Sequence, residues 1–146
     1  MDKKDEIILK LLKENGKLTT QQISKKTLMP ITTIHNRIKK LLREGIIKRY
    51  TIDLDNKKLG KSISAYIHIM VDYRLLKEIK KSQHELARKI KQHEFVEEIA
   101  IVAGGTDMII KVRVKDIEEL DDFVTKKLRN IGGIEKTQTM VILNEV

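Results

Sequence analysis

The sequence predicts an α+β protein in two parts, a three-helix unit over residues 1–50 and a βαββαβ unit over residues 62–146, joined by a strand or linker over 51–61. Two patterns and one asymmetry carry that prediction. Apolar residues recur at three- and four-residue spacing through the first third of the chain; from Ser62 onward alternating runs interleave with helical ones; and positive charge gathers in the first part.

The first helix is predicted from Lys3 to Glu14, with Ile7, Ile8, Leu11 and Leu12 on its inner stripe and Asn15-Gly16 ending it. Thr19 or Thr20 then caps a short helix running to Lys26, with Leu18 and Ile23 facing inward. The turn Leu28-Met29-Pro30 leads into a third helix from Ile31 to Arg43, whose stripe is Ile31, Ile34, Ile38, Leu41 and Leu42 and whose exit is Gly45. Pro30 lacks an N–H and fixes its own φ, so it belongs at that helix's entry. Three short helices with a tight turn before the last make a helix-turn-helix. Residues 46–54 alternate as a strand, and residues 55–60 read as turn and linker.

The second unit begins with a strand over 62–73, followed by one helix over 75–93 with Leu76, Ile79, Leu86 and Ile90 inward, and a strand over 96–103. The pattern repeats with a strand over 108–114, a helix over 117–129 through Ile117, Leu120, Phe123, Val124 and Leu128, and a strand over 137–143. This is the ferredoxin-like split βαββαβ order, an antiparallel sheet with two helices on one face. Its first strand is apolar on both faces, Ile67, Ile69 and Val71 on one and Tyr66, His68 and Met70 on the other, so the open face calls for a second subunit.

Residues 1–60 carry a net charge of +8 and residues 61–146 only +1. Between Lys17 and Tyr50 nine basic residues stand against one acid, Glu44, the electrostatic footprint of a nucleic-acid surface; because the run coincides with the helix-turn-helix pattern, the expected partner is double-stranded DNA. The absence of cysteine excludes disulfides, thiolate metal sites and a cysteine nucleophile. No apolar run approaches the roughly 20 residues of a membrane helix, and the start MDKKDE has no apolar core of a secretory signal, so the expectation is a cytoplasmic protein without membrane contact.

On the outer side of the third helix, Thr32, Thr33 and Asn36 are the candidates for base edges, Asn36 first because its amide can pair bidentately with adenine. Lys39, Lys40 and Arg43 are suited to phosphates, with His35 and Arg37 at the flanks. Arg37 either anchors a phosphate or holds a neighbouring helix. Lys25 and Lys26 on the second helix either contact the DNA backbone or face solvent, and Lys48 and Arg49 lie where a flanking phosphate would pass. In the second unit, Gly104, Gly105, Thr106 and Asp107 join the two middle strands. Two glycines admit a close ligand and Asp107 can receive an ammonium group; equally, the loop is a tight hairpin in which Asp107 caps its own turn. Thr137 and Thr139 share one side of the last strand and either complete such a site or serve as β-formers.

A basic helix-turn-helix, a short linker and a βαββαβ domain together resemble the Lrp/AsnC, or feast/famine, transcription regulators of bacteria and archaea. The residues that carry the resemblance are Arg37, Leu41, Gly45 and Ile47 in RIKKLLREGII, Lys48 to Leu54 with Leu59-Gly60, Gly104-x-x-Asp107 in VAGGTDMIIKV, and Thr137-x-Thr139. The resemblance is of an archaeal type and spans essentially the whole chain. It implies a winged-type helix-turn-helix, a C-terminal domain of the ligand-binding (RAM) type, homodimers that in many members assemble to octamers, and an amino-acid effector bound between subunits rather than a cofactor. The chain departs from the family pattern at the third helix, where Pro30 stands in place of the usual capping Ser and Ile31 follows it.

Two other functions share part of this pattern. An architectural protein that wraps DNA without sequence preference shares the same electrostatics. Siroheme decarboxylases resemble the same fold and rely on histidines, but His35, His68, His84 and His93 have no metal-ligand spacing and there is no paired-carboxylate or Ser/His/Asp pattern. The expectation is a DNA-binding regulator, not an enzyme.

Overall fold

The computed structural model describes residues 1–146 and divides the chain into two compact units, Met1–Leu54 and Asp55–Val146. In the first, α1 (Lys3–Glu14) opens with a reciprocal cap: Asp2 accepts from the Asp5 N–H and the Asp5 carboxylate accepts from the Asp2 N–H. α2 (Thr20–Thr27) repeats the device with Thr19 and Gln22. It ends at Leu28, whose φ of 59° is left-handed and unusual for an aliphatic side chain. α3 (Ile31–Arg43) follows at once, with Pro30 in the N-cap position and no side chain bonded to its first amides, as the missing Ser implies. The turn is held from below instead, where Ser24 Oγ donates to the Met29 carbonyl at 2.6 Å and the Met29 side chain is buried. Ile8, Ile23, Met29 and Ile34 form the core, flanked by Leu11, Leu12, Leu18 and Ile38. Each buried Ile contributes on the order of 2 kcal/mol.

Three expectations for this unit change. Ile7, expected on the inner stripe of α1, lies outside it and is 47% exposed, leaving Ile8 as the buried residue of that stripe. The buried stripe of α3 is narrower than five residues, because Ile31 and Leu42 lie at its rim and are 46% and 41% exposed, while Ile34 and Leu41 are buried. Residues 46–54 form no strand. A strand needs a bonded neighbour, and this chain supplies none in register; Tyr50, Ile52 and Leu54 stay exposed, Ile52 to 77%. A groove of about 950 Å³ runs between Leu9 and Leu12 of α1 and residues 46–53.

The second unit follows the order β1 (Ile63–Val71), α4 (Tyr73–Glu78), α5 (Gln83–Lys91), β2 (Val96–Ile101), β3 (Met108–Val114), α6 (Ile117–Asp122) and β4 (Ile134–Val141). The sheet runs β2-β3-β1-β4, antiparallel throughout. Ala65, Ile67, Ile69 and Val71 of β1 alternate into the core, in register with Val112, Ile110 and Met108 of β3, and Leu76, Leu86, Ile90, Leu120, Phe123 and Leu128 cover them from the helices.

The single helix predicted over 75–93 is broken. Lys80 takes φ 53°, the Lys81 N–H turns back to the Leu76 carbonyl, and Ser82 restarts the chain as α5 through a reciprocal cap with Glu85. Ile79, expected inward, falls in this joint and is exposed. The last helix also departs from expectation: after Asp122 it widens into a π-helical turn over Phe123–Leu128, which brings Phe123, Val124 and Leu128 all into the core, while Ile117 at its first position is exposed.

The opposite face of the sheet has no helix over it. Tyr66, His68 and Met70 of β1 stand there with Ile109 and Lys111 of β3 and Gln138 and Met140 of β4. Glu145, beyond the last strand, pairs with Lys111 at 2.7 Å and with Arg113 at 3.0 Å, and Arg113 also grips Glu97 at 2.6 Å. The Arg113 guanidinium, and then the Lys111 ammonium, hold the Glu145 carboxyl down at about 2.

Candidate functional site

The third helix sorts its residues by angle. At 100° per residue Thr32, Asn36, Lys39 and Arg43 fall within an arc of about 60°, opposite Ile34 and Leu41. All four are exposed. Thr33, half-buried, and Lys40 edge the arc on one side, and His35 edges it on the other. Lys25 and Lys26 are exposed on the last turn of α2. Lys25, Lys26, Lys39 and Arg43 make no ion pair within the chain, and Lys40 makes only a loose one of 3.9 Å to Glu44. The arrangement is therefore a cationic ridge with short hydrogen-bonding side chains near the helix entry, unsatisfied by its own protein. That chemistry matches base edges at the helix entry and phosphates toward its last turns.

Arg37 leaves this set. Its Nη1 lies 2.9 Å from both Asp2 carboxylate oxygens and 3.0 Å from Asp5 Oδ1, so it is turned onto the start of α1 rather than outward. Of the two readings the sequence allowed, the clamp to a neighbouring helix is the one formed. The guanidinium holds Asp5 below the ordinary carboxylate value; Asp2 is lowered first by the Asp5 N–H and then by Arg37. Sequence reasoning did not single out Asp2 and Asp5. Their Asp-x-x-Asp spacing directly before an apolar run is the capping signature that marks them.

The second candidate site sits at one end of the β1–β3 ladder. The Asp107 carboxylate accepts from the Val71 N–H at 2.8 Å and from the Tyr73 hydroxyl at 2.9 Å, while its own N–H donates to the Ile69 carbonyl. Thr106 Oγ1 donates to the same Ile69 carbonyl at 3.1 Å. Asp107 is thus neither free nor capping its own turn; it pins the exit of β1, and in return the carboxylate raises the Tyr73 pKa. Gly104 and Gly105 lie beside it with open space where a Cβ would be, Gly104 at φ +134°. Thr137 pairs with Ile69 across β1 and Thr139 with Ile67. Two strand spacings therefore separate Thr137 from Asp107, about 10 Å, and Thr139 is one pair further along.

The four histidines stand apart: His35 on α3, His68 on β1, His84 on α5, and His93 after α5, where its ring packs 4.9 Å from Phe95 and 4.7 Å from Phe123. No group of three His, Cys, Asp or Glu is placed to hold a metal ion, and no helix is long and apolar enough to cross a membrane.

Comparison with known proteins sets this geometry in context. Residues 1–48 match the winged helix-turn-helix DNA-binding model, and residues 64–146 match the Lrp/AsnC ligand binding domain. An uncharacterised HTH-type transcriptional regulator of Pyrococcus furiosus is 40% identical over 141 residues, covering 97% of this chain and 91% of the relative. The HTH-type transcriptional regulator FL11 of Pyrococcus horikoshii is 35% identical over 144 residues, covering 98% and 89%. Among solved structures, AsnC of E. coli superposes with a TM-score of 0.84 at 26% identity over 99% of this chain and 93% of its own. A Neisseria meningitidis transcriptional regulator in complex with L-Met gives a TM-score of 0.89 at 24% identity over 100% and 92%, a likeness of fold.

Proposed function

The chain belongs to the Lrp/AsnC family of helix-turn-helix transcriptional regulators, and from that premise we propose that it reads DNA as a homodimer through Thr32 and Asn36, with Thr33 and His35 beside them, while Lys39, Lys40, Arg43, Lys25 and Lys26 hold phosphates. The observation that carries this reading is the ridge of α3, where Thr32, Asn36, Lys39 and Arg43 are exposed, Lys39 and Arg43 have no ionic partner in the chain and Lys40 has only the loose pair with Glu44. Arg37 serves the interface from behind by fixing the angle of α3 against α1. Two such helices set about one helical turn apart would enter successive major grooves. The second copy is supported by the uncovered sheet face around Tyr66 and Met140, and by the exposed side chains of Tyr50 and Ile52, which a partner could cover.

The further proposal is an amino-acid effector at the loop Gly104–Asp107, with Thr137 and Thr139 on the neighbouring edge. The open space over both glycines supports it, as does the L-Met bound by the Neisseria meningitidis regulator of like fold. Because Asp107 already binds β1, a ligand there also bears on the exit of that strand, which gives the effector a route to the assembly.

The test is selection of bound duplexes from a random pool, with and without a pool of amino acids, followed by footprinting at rising salt. A spaced pseudo-palindrome whose protection survives competitor DNA supports a regulator, and Asn36→Ala then relaxes preference at one position per half-site. Uniform protection of every duplex overturns it in favour of packaging. An unchanged selection and unchanged mass with every amino acid removes the effector from the scheme.

A further inference from the structure

The entry of α3 carries two exposed aliphatic side chains, Leu28 without burial of any kind and Ile31 only half covered at the rim of the buried stripe. Leu28 is 91% exposed at φ 59°, a backbone conformation suited to glycine or asparagine, so it has strain without compensating burial. Ile31, the first residue of α3, is also exposed, although Ile34 one turn further is wholly buried. Both stand at the end of the helix where side chains reach base edges, and Lys25 and Lys26, unpaired, lie on the turn just before them. Two side chains are far too little for a protein interface, which takes about 800 Å² from each partner. Their cationic surround matches a polyanion, and DNA displays one aliphatic group in its major groove, the thymine C5-methyl.

We propose that Leu28 and Ile31 seat against thymine methyl groups, so that the site preferred by this protein carries thymine at fixed positions beside the bases read by Thr32 and Asn36. The inference rests on the reading of α3 as the DNA-facing helix. It also explains why strain persists at Leu28: the side chain that glycine would lack makes the contact.

The experiment uses the full chain and the best duplex from the selection above. Each thymine is replaced in turn by deoxyuridine, which keeps every hydrogen-bonding group and removes only the methyl. The expected result is a loss of about fourfold at one or two positions per half-site, the worth of one buried methyl group. Leu28→Gly and Ile31→Ala each abolish the uracil effect at one of those positions without altering the salt dependence, and Leu28→Gly raises the thermal midpoint while weakening binding. If selection returns no preferred sequence, the DNA-reading role of α3 itself fails. If a sequence is preferred but it lacks thymine there, or uracil is tolerated throughout, or the variants keep the full uracil effect, the methyl contact is overturned and the regulator reading stands.

Discussion

Arg37 lies on the helix that presents cations to DNA, yet its charge is taken up by two carboxylates of its own chain. Arg37→Gln should therefore weaken every DNA sequence alike while leaving the salt slope unchanged, since no phosphate contact is removed. Lys39→Gln or Arg43→Gln should instead lower the slope of log affinity against log salt by about 0.9 each, measured by anisotropy titration. The Arg37 clamp also has a pH signature. Asp5 and Asp2 are held below their ordinary 3.8, so the stabilisation is full above that value and is lost as pH falls through the lowered ones. The thermal midpoint of wild type should exceed that of Arg37→Gln at neutral pH, and the gap should close as pH drops below 4; a constant gap would mean the clamp contributes nothing electrostatic. At this scale the sequence was legible where a residue's angle on a helix decides its exposure, as for Asn36 and Lys39. It was ambiguous for Arg37, whose reach lets it serve either side, and for Asp107, whose partners Val71 and Tyr73 are distant in sequence.

Among the elements, α1 and α3 run between the residues their patterns predict, because each is closed by strong local chemistry: Asp2 and Asn15 for one, Pro30 and Gly45 for the other. The break between α4 and α5 carried a legible signal as well, Ser82-Gln83-His84-Glu85, a capping pattern hidden inside an otherwise continuous apolar period. Residues 46–54 and the π-helical turn were not legible for a different reason. Strand state depends on a neighbour outside the segment, and a π turn is chosen by how Phe123 and Leu128 fit the core. The link into β4 is equally set by packing. Gly133 sits at φ +107° with a would-be Cβ 2.7 Å from Leu76 Cδ2, and Leu76 is itself buried. Gly133→Ala should destabilise the second unit by about 2 kcal/mol in denaturant titration, combining strain with overpacking; a loss below about 0.5 kcal/mol would show that Leu76 has room to yield.

For the whole molecule, the proposed assembly rests on the uncovered sheet face and on the exposed side chains of Tyr50 and Ile52. Tyr66→Glu would place a charge on the open sheet face and Ile52→Asp one on the exposed segment at residues 50–52; each should shift the mass seen by light scattering toward the single chain and flatten the DNA titration, with helical content unchanged. Retention of the full mass in both variants would send the search for the partner surface elsewhere. The division of charge, +8 over residues 1–60 and +1 over residues 61–146, separates a half that attracts DNA from one that is nearly neutral. The joint between α4 and α5 opens a practical route to that geometry. Lys80 is exposed, holds a left-handed φ that cysteine tolerates as well as lysine does, and stands in a chain with no thiol of its own. A Lys80→Cys protein would take one spin label or fluorophore per chain at a single exposed position, turning the spacing between copies of the proposed assembly into a ruler on which any effect of DNA or an amino acid could be read directly.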